Sequence, residues 1–156
     1  MSKSMKRVRA ALEAAGLDPQ IRETDLARTA ADAAGAIGCE VDQIAKSIIF
    51  RGEDSGTAIL FLTAGGNLVD GDLAAAVAGE PLGKADAALV RAQTGFAIGG
   101  VAPVGHLNPI RAFLDPRLQD FAVVWAAAGT PHHVFPIRPE DLIRLTGAQV
   151  AEFTSR

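Results

Sequence analysis

A lysine interrupts an otherwise apolar run in the first third of the chain. Lys46 lies within residues 44–50, where every other position except Ser47 is apolar. Such a run is typical of a buried strand, and lysine is almost never fully buried unless it is paired. The ammonium must therefore reach water, find a carboxylate or point into a cleft. Two interpretations stay open: a snorkelling lysine at the start of a strand, or a cationic group that a stiff strand holds in a binding site.

A glycine-rich segment supplies a second set of groups that could take part in catalysis, its backbone amides. It reads Gly-Gly-Val-Ala-Pro-Val-Gly over residues 99–105. Glycine permits positive φ and lets backbone amides approach a ligand without a Cβ in the way. Such a loop can stabilise a carbonyl oxygen that becomes negative during a reaction. The alternative is a tight crossover between strands that needs glycine. His106, directly after the loop, could contact a ligand, although a histidine in a surface loop is the default.

Other catalytic patterns are absent from the sequence. It contains no G-x-S-x-G, no P-loop and no G-x-G-x-x-G followed by a helix. Zinc would need His106, His132 and His133 to converge without a C-x-x-C or H-E-x-x-H frame. Adjacent histidines in a strand face opposite ways, so no metal site is expected. Cys39 has no histidine nearby in the sequence and is expected to be a small packed residue, not a nucleophile.

Composition limits the class of protein further. The chain has 156 residues, of which 49% are hydrophobic and 21% charged, as in an ordinary soluble globular domain. No apolar run reaches the length of a membrane span, and no secretory signal is expected. A single cysteine fits a reducing compartment, so a cytoplasmic protein is predicted. The net charge of −3 argues against a broad cationic surface for DNA, although it allows a small basic patch.

Periodicity and turn residues predict an α+β protein with a mixed sheet, because strands cluster in hairpins with helices inserted between them. One domain is expected over residues 1–156. The expected helices cover 4–15, 30 to Gly35 or Gly38, 72–78 capped by Asp72, 87–94 capped by Asp86, and a segment from Pro139 to Gly147. The expected strands cover 21–23, 47–51, 57–62, 68–69, 96–98, 110–114, 121–127, 134–135 and 150–153. Asp42 is expected to cap a turn before Lys46, and the very apolar strand 121–127 is expected to be central.

Five segments in order resemble the YbaK/prolyl-tRNA-synthetase-associated domain family, the free-standing relatives of the editing insertion of bacterial prolyl-tRNA synthetase. The segments are Gln-Ile-Ala-Lys-Ser-Ile-Ile-Phe at 43–50, the glycine loop at 99–105, Phe-Leu-Asp at 113–115, Ala-Gly-Thr at 128–130, and Glu-Asp-Leu-Ile-Arg-Leu-Thr-Gly-Ala at 140–148. The resemblance spans about Leu17 to Phe153. It implies a curved, largely antiparallel mixed sheet surrounded by helices.

The resemblance also implies an activity: hydrolysis of the ester that joins a wrong amino acid to tRNA, with no metal or organic cofactor. Lys46 matches the family lysine of the site, and residues 99–103 match its G-x-x-x-P loop, which lies against the aminoacyl group. The candidate catalytic residues are Lys46, Gly100 and Val101. The candidate substrate-binding residues are Ser47, Gly99, Ala102, Pro103, His106, Gly129 and Thr130.

Lys46 is expected to contact the phosphate of the terminal nucleotide or the carbonyl, while the Gly100 and Val101 amides hold the acyl group. An activated ester needs no protein nucleophile, so positioning a water and stabilising the oxyanion could suffice. A ribose hydroxyl of the substrate could orient that water, as is proposed for relatives. If the strand starts at Lys46, its side chain shares a face with those of Ile48 and Phe50.

Substrate and partners follow from the resemblance less directly. Some family members have Ser-Gly-Gly followed closely by an aspartate, whereas residues 127–134 here contain no carboxylate, which weakens assignment to the cysteinyl-tRNA(Pro) branch. Alanine on tRNA(Pro) is therefore ranked first, then serine or threonine species, then cysteine. Four alanines suggest compact walls: Ala31, Ala97, Ala102 and Ala127.

The expected partner is the acceptor end of a mischarged tRNA, which prolyl-tRNA synthetase or an elongation factor could present. A monomer is expected. The alternative function is a non-catalytic module that binds a tRNA end or a synthetase.

Overall fold

The computed structural model describes residues 2–155. Its α-helices are α1 (Lys3–Ala14), α2 (Ala30–Ile37), α3 (Gly71–Ala78), α4 (Ala87–Thr94) and α5 (Pro139–Thr146). Its strands are β1 (Arg22–Glu23), β2 (Ala45–Gly52), β3 (Ala58–Ala64), β4 (Leu68–Val69), β5 (Leu82–Lys84), β6 (Arg111–Leu114), β7 (Val124–Ala127), β8 (His133–Ile137), β9 (Gln149–Val150) and β10 (Thr154–Ser155). Short 3-10 turns cover Val41–Gln43 and Pro116–Asp120.

A five-stranded sheet in the order β5-β2-β3-β6-β9 forms the centre of the molecule. The β2–β3 and β2–β5 pairs are antiparallel, whereas β6 lies parallel to both β3 and β9. All seven residues of β3 are buried, which fits a central strand covered on both faces. Leu60 and Leu62 of this strand face the main core, and Ile59 and Phe61 face a second cluster with Phe113 and Phe153. The predicted α+β class and mixed sheet are therefore confirmed.

A second sheet stands beside the first at the edge of β2. Its order is β1-β8-β7, with antiparallel pairs throughout. It meets β2 through a single parallel bridge between Ile44 and Trp125. On the same edge of β2, β5 pairs only with residues 50–52. The edge of β2 between these two partners is consequently open.

Two of the predicted strands were wrong in extent or place. Residues 96–98 form no strand: α4 ends at Gly95 with φ 81°, after which the Phe96 amide donates to Thr94 Oγ1 and the Gly100 amide donates to Ala97 O. These local turn hydrogen bonds take the place of the inter-strand hydrogen bonds that a strand would make. The predicted strand 121–127 begins only at Val124, because the Phe121 amide still donates to Leu118 O. It lies at a sheet edge, and β3 takes the central place.

Smaller differences concern helix caps and the last strand. Asp70, not Asp72, caps α3, since its Oδ1 accepts the Asp72 and Leu73 amides. Asp42 lies inside its 3-10 turn and not at its start. The predicted strand 150–153 is replaced by two short strands, β9 and β10, separated by residues 151–153. No helix among residues 2–155 is long and apolar enough to cross a membrane.

Candidate active site

A cleft of about 760 Å³ follows the open edge of β2. Lys46 and Ile48 line it from one face of the sheet, and Ala45, Ser47 and Ile49 line it from the other. Since successive side chains of a strand point to opposite faces, a cleft that touches both sets runs along the strand's edge. The opposite walls come from α2, the glycine loop and the β7–β8 hairpin. Their lining residues include Ala31, Gly99, Val101, Trp125, Ala127, Thr130 and His133.

Lys46 lines this cleft, and two backbone carbonyls hold its ammonium in place. Its Nζ donates to Asn67 O at 2.6 Å and to Gly65 O at 3.3 Å. Lys46 stands opposite Thr63 and shares its face of β2 with Ile48 and Phe50, as predicted. Partial burial lowers the pKa of Lys46 below its ordinary value, while the nearby carboxylates of Asp115 and Asp42 act in the opposite direction.

The turn that receives the lysine is itself held by two carboxylates. Asp115, which is 2% exposed, accepts the Ala64 amide at 3.1 Å and Asn67 Nδ2 at 2.9 Å through its Oδ2. Asp42 Oδ1 accepts the Gly66 amide at 2.8 Å. The carbonyl oxygens that bind Lys46 are therefore fixed in space. The sequence predicted the turn but not this role of Asn67 and Asp115, although an asparagine after two glycines and a buried aspartate before a proline are visible signals.

Two residues of the glycine loop that line the cleft, Gly99 and Val101, have backbone amides without a hydrogen bond within residues 2–155. Gly99 has φ 98°, which favours glycine. The Gly100 amide is engaged with Ala97 O at 3.1 Å, contrary to its expected role as a ligand donor. Gly100 matters instead for close approach, because a Cβ there would lie 2.8 Å from Thr130 Cα. The Val101 amide makes no hydrogen bond within residues 2–155, and Val101 lines the cleft.

Three predicted binding residues lie behind the loop and not on the cleft. Ala102 is fully buried, while Pro103 and His106 line a separate groove. His106 Nε2 lies 2.6 Å from Ala102 O, and its ring packs edge-on against Phe96. Because a carbonyl only accepts, the Nε2 atom must carry the proton. Burial lowers the pKa of His106, and nearby Arg7 acts in the same direction. These residues hold the loop from its rear.

Two residues of the segment 128–133 line the cleft: Thr130, which was predicted to bind substrate, and His133, which was not. Gly129, with φ 96°, packs against the α1 backbone at Ser4 and does not line the cleft. Thr130 does line it, and its Oγ1 lies 2.6 Å from Nδ1 of His133. His133, the first residue of β8, lines the cleft, whereas His132 lies in the preceding turn and is exposed. His133 Nε2 lies 3.6 Å from Glu23 Oε2.

Of the four alanines that were expected to form the walls of the pocket, two line the cleft. Ala31 and Ala127 line the cleft as suggested, whereas Ala97 and Ala102 do not. Trp125 was not predicted to be in the site; its ring lies under the Arg22 guanidinium, 4.8 Å from the ring centre. Among residues 2–155, no group of three or more histidine, cysteine, aspartate or glutamate side chains is arranged to hold a metal ion.

Comparison with known proteins identifies the family. The model of the aminoacyl-tRNA editing domain matches residues 24–145. The chain belongs to this family. YwhH of Bacillus subtilis (strain 168) is 32% identical to this editing domain over 122 residues, which are 78% of this chain and 77% of YwhH. EbsC of Enterococcus faecalis (strain ATCC 700802 / V583), a candidate Cys-tRNA(Pro)/Cys-tRNA(Cys) deacylase, is 24% identical over 128 residues, 82% of this chain and 78% of EbsC.

A solved structure confirms the fold of the editing domain. The crystal structure of a candidate trans-editing enzyme for prolyl-tRNA synthetase is similar with a TM-score of 0.92 and 47% identity. The similarity covers 100% of this chain and 99% of that chain. The resemblance that the five sequence segments indicated is thus confirmed at the level of family and fold.

The buried histidine behind the loop predicts a pH dependence of stability. The pKa of His106 is lower in the folded protein than its ordinary value of about 6.5, so the unfolded chain binds more protons. This contribution to stability is fully present above pH ~6.5 and is lost as the pH falls below that value. Urea unfolding at pH 7.5 and pH 5.0 should show a larger loss of stability for the wild type than for His106→Gln, whose amide can still donate to Ala102 O. Equal losses in the two proteins would contradict this role of His106.

Proposed function

We propose that this editing domain is a trans-editing aminoacyl-tRNA deacylase, a hydrolase that cleaves the ester of a mischarged tRNA. The observation that carries the proposal is the cleft itself. It combines a fixed ammonium at Lys46 with a free backbone amide at Val101. The described residues that line it include no aspartate, glutamate or cysteine. Such a site suits an ester that is already activated and that needs positioning and charge stabilisation more than a protein nucleophile.

The proposed reaction begins with water attacking the ester carbonyl carbon. Negative charge then develops on the carbonyl oxygen, where the Val101 amide can donate a hydrogen bond. Lys46 supplies positive charge for the carbonyl or for the phosphate of the terminal nucleotide. The tetrahedral intermediate collapses when the bond to the ribose oxygen breaks, which releases the amino acid and the free tRNA end. The ribose oxygen takes up the proton that the attacking water gave away.

His133 is an imidazole on the cleft wall, a group that can accept that proton and pass it on. The Thr130 hydroxyl donates to Nδ1 if Nε2 carries the ring proton and faces Glu23. In this arrangement the hydroxyl and the imidazole form a polar pair on the same cleft as Val101, whose wall is otherwise mostly apolar. The pair would orient the water together with the neighbouring ribose hydroxyl of the substrate.

Alanine on tRNA(Pro) is the proposed first substrate, followed by serine or threonine species and then cysteine. Alanines of α2 and β7 narrow the cleft, which favours a small acyl group. The solved relative named for prolyl-tRNA synthetase and the EbsC relative named for Cys-tRNA(Pro) both support a proline tRNA. The protein would act as a monomer on the acceptor end, which prolyl-tRNA synthetase or an elongation factor presents. The second candidate is a module of the same fold that binds this end without cleaving it.

A panel of mischarged tRNAs tests the function and its specificity. Purified protein is incubated with alanyl-, seryl-, threonyl- and cysteinyl-tRNA(Pro) and with a bulky phenylalanyl-tRNA, and the released amino acid is counted. We expect release to be fastest from alanyl-tRNA(Pro) and slowest from the aromatic species. Preference for the aromatic acyl group would contradict the proposed ranking. Binding without release from any species would favour the non-catalytic module.

Lys46→Ala should reduce the deacylation rate by at least ~10²-fold, the scale seen when one oxyanion donor is removed. The free energy of unfolding should fall by about 1 kcal/mol, because two hydrogen bonds from a half-exposed ammonium to the turn are lost. Lys46→Arg should rescue poorly, since a forked guanidinium does not fit the two carbonyls that a compact ammonium bridges.

The matched control is Lys84→Ala, at a lysine of β5 that lines the same cleft and whose ammonium makes no hydrogen bond within residues 2–155. It should affect the rate much less than Lys46→Ala. Single-turnover deacylation and urea unfolding measure the two effects separately. If Lys46→Ala deacylates at the wild-type rate, the active site must lie elsewhere. If the variant unfolds outright, Lys46 has a structural role instead.

His133→Asn keeps an acceptor near Thr130 but removes the imidazole that would accept a proton. The rate should fall by ~10²- to 10⁴-fold, the usual contribution of a positioned base. His132→Asn, on the exposed neighbour, serves as the control and should behave as the wild type. A fully active His133→Asn would leave the ribose hydroxyl as the group that orients the water.

A further inference from the structure

Backbone polar groups of β2 alternate between its two edges, and the hydrogen bonds at its end fix the phase. The Gly52 amide donates to Thr57 O, toward β3, whereas the Glu53 amide donates to Pro81 O, toward the β5 side. At the other end, the amide of Ala64, opposite Ala45, donates to Asp115 and not to β2. Even-numbered residues of β2 therefore bond to β3, and odd-numbered residues direct their N–H and C=O to the open edge.

Ser47 occupies the middle of that open edge. Pairing with β5 stops at Phe50, and pairing with β7 within residues 2–155 is limited to the bridge between Ile44 and Trp125. The register thus gives the N–H and C=O of Ser47 no partner strand, and the residue lines the cleft. Its Oγ is also buried without a hydrogen-bond partner within residues 2–155. Unpaired backbone groups on a strand edge are a template for another strand.

An aminoacyl ester carries the polar groups of one β residue: a nitrogen that donates and a carbonyl oxygen that accepts, on either side of one α-carbon. A residue in a bonded antiparallel pair exchanges both of its hydrogen bonds with a single partner residue. We propose that the aminoacyl group pairs with Ser47 as a strand one residue long. The α-ammonium donates to Ser47 C=O, and the ester carbonyl oxygen accepts the Ser47 N–H.

This pairing rests on the proposed deacylase function and extends it. It would give the developing oxyanion a second backbone donor besides the Val101 amide, from the facing wall of the cleft. It would also recognise the part that all aminoacyl groups share, which leaves the side chain to be selected by the apolar walls. Peptide recognition by addition of a strand to a sheet edge uses the same hydrogen bonds over a longer stretch.

The substrate side of the pairing is tested with propionyl-tRNA(Pro), which lacks only the α-ammonium of alanyl-tRNA(Pro). Each enzymatic rate is divided by the rate of hydrolysis in buffer, because the two esters differ in reactivity. We expect the rate acceleration to be about 10- to 100-fold smaller for the propionyl ester, the scale of a hydrogen bond to a charged group. Equal acceleration of the two esters would overturn the pairing while leaving the deacylase function intact.

The protein side is tested with proline. Ser47→Pro removes an N–H that no strand uses, so the variant should fold, whereas Ile48→Pro removes a bond to β3 and should unfold. Ser47→Pro should lose at least ~10²-fold in rate, and Ser47→Ala, which keeps the backbone donor, should lose far less. A folded Ser47→Pro as active as Ser47→Ala would overturn the pairing. If Ser47→Pro does not fold, the propionyl comparison decides.

A binding experiment separates this inference from the proposed function. The probes are adenosine analogues whose 3′-amide carries an alanyl or a propionyl group, neither of which can be hydrolysed as an ester. Calorimetry should show tighter binding of the alanyl analogue to the wild type. That result without release from any mischarged tRNA would retain the pairing and discard the deacylase. Equal binding of both analogues would reject the pairing whatever the turnover.

Discussion

Asp115 is the residue on which the geometry of the site depends most. Its buried carboxylate accepts the backbone amides of Ala64 and Arg117 together with the side-chain amide of Asn67. A buried charge is tolerated only when it is fully hydrogen-bonded, and here three donors and the nearby Lys46 meet that condition. Through Asn67, Asp115 fixes a carbonyl oxygen that binds the ammonium of Lys46. A core interaction is thereby transmitted to the cleft in two steps.

Two sheets that meet incompletely create the space for a ligand. β2 is paired along its whole length with β3 on its inner edge, but on its outer edge β5 and β7 leave a gap. The gap places backbone groups, an ammonium and the glycine loop around one cleft without any residue needing a strained conformation. Among residues 2–155, positive φ angles occur only at glycines. The site is thus a product of topology more than of local strain.

The sequence predicted the parts of the site that carry a strong local signal. A lysine within an apolar run, and glycines that allow a close backbone approach, are both visible without a structure. Ser47 and Thr130 were expected from the family resemblance, and both line the cleft. The sequence could not show that the Gly100 amide turns back to Ala97, or that His106 lies behind the loop, because both depend on how the chain turns after Gly95. Asn67 was missed because its partner Asp115 is distant in the chain, and His133 was missed because its place on the cleft depends on how the β7–β8 hairpin lies beside β2.

The contact between Gly100 and Thr130 has a consequence for how selectivity can change. Because the two loops touch through backbone atoms, the distance between them is set by main-chain packing and not by the size of any side chain. Substitutions elsewhere on these loops would leave the width of that corner unchanged. A change in the width of the cleft would then have to come from the α2 wall or from the side chains of β2 and β7. The backbone contact fixes the position of the glycine loop, so the side chains of α2 on the opposite wall are the part that can alter the width of the cleft.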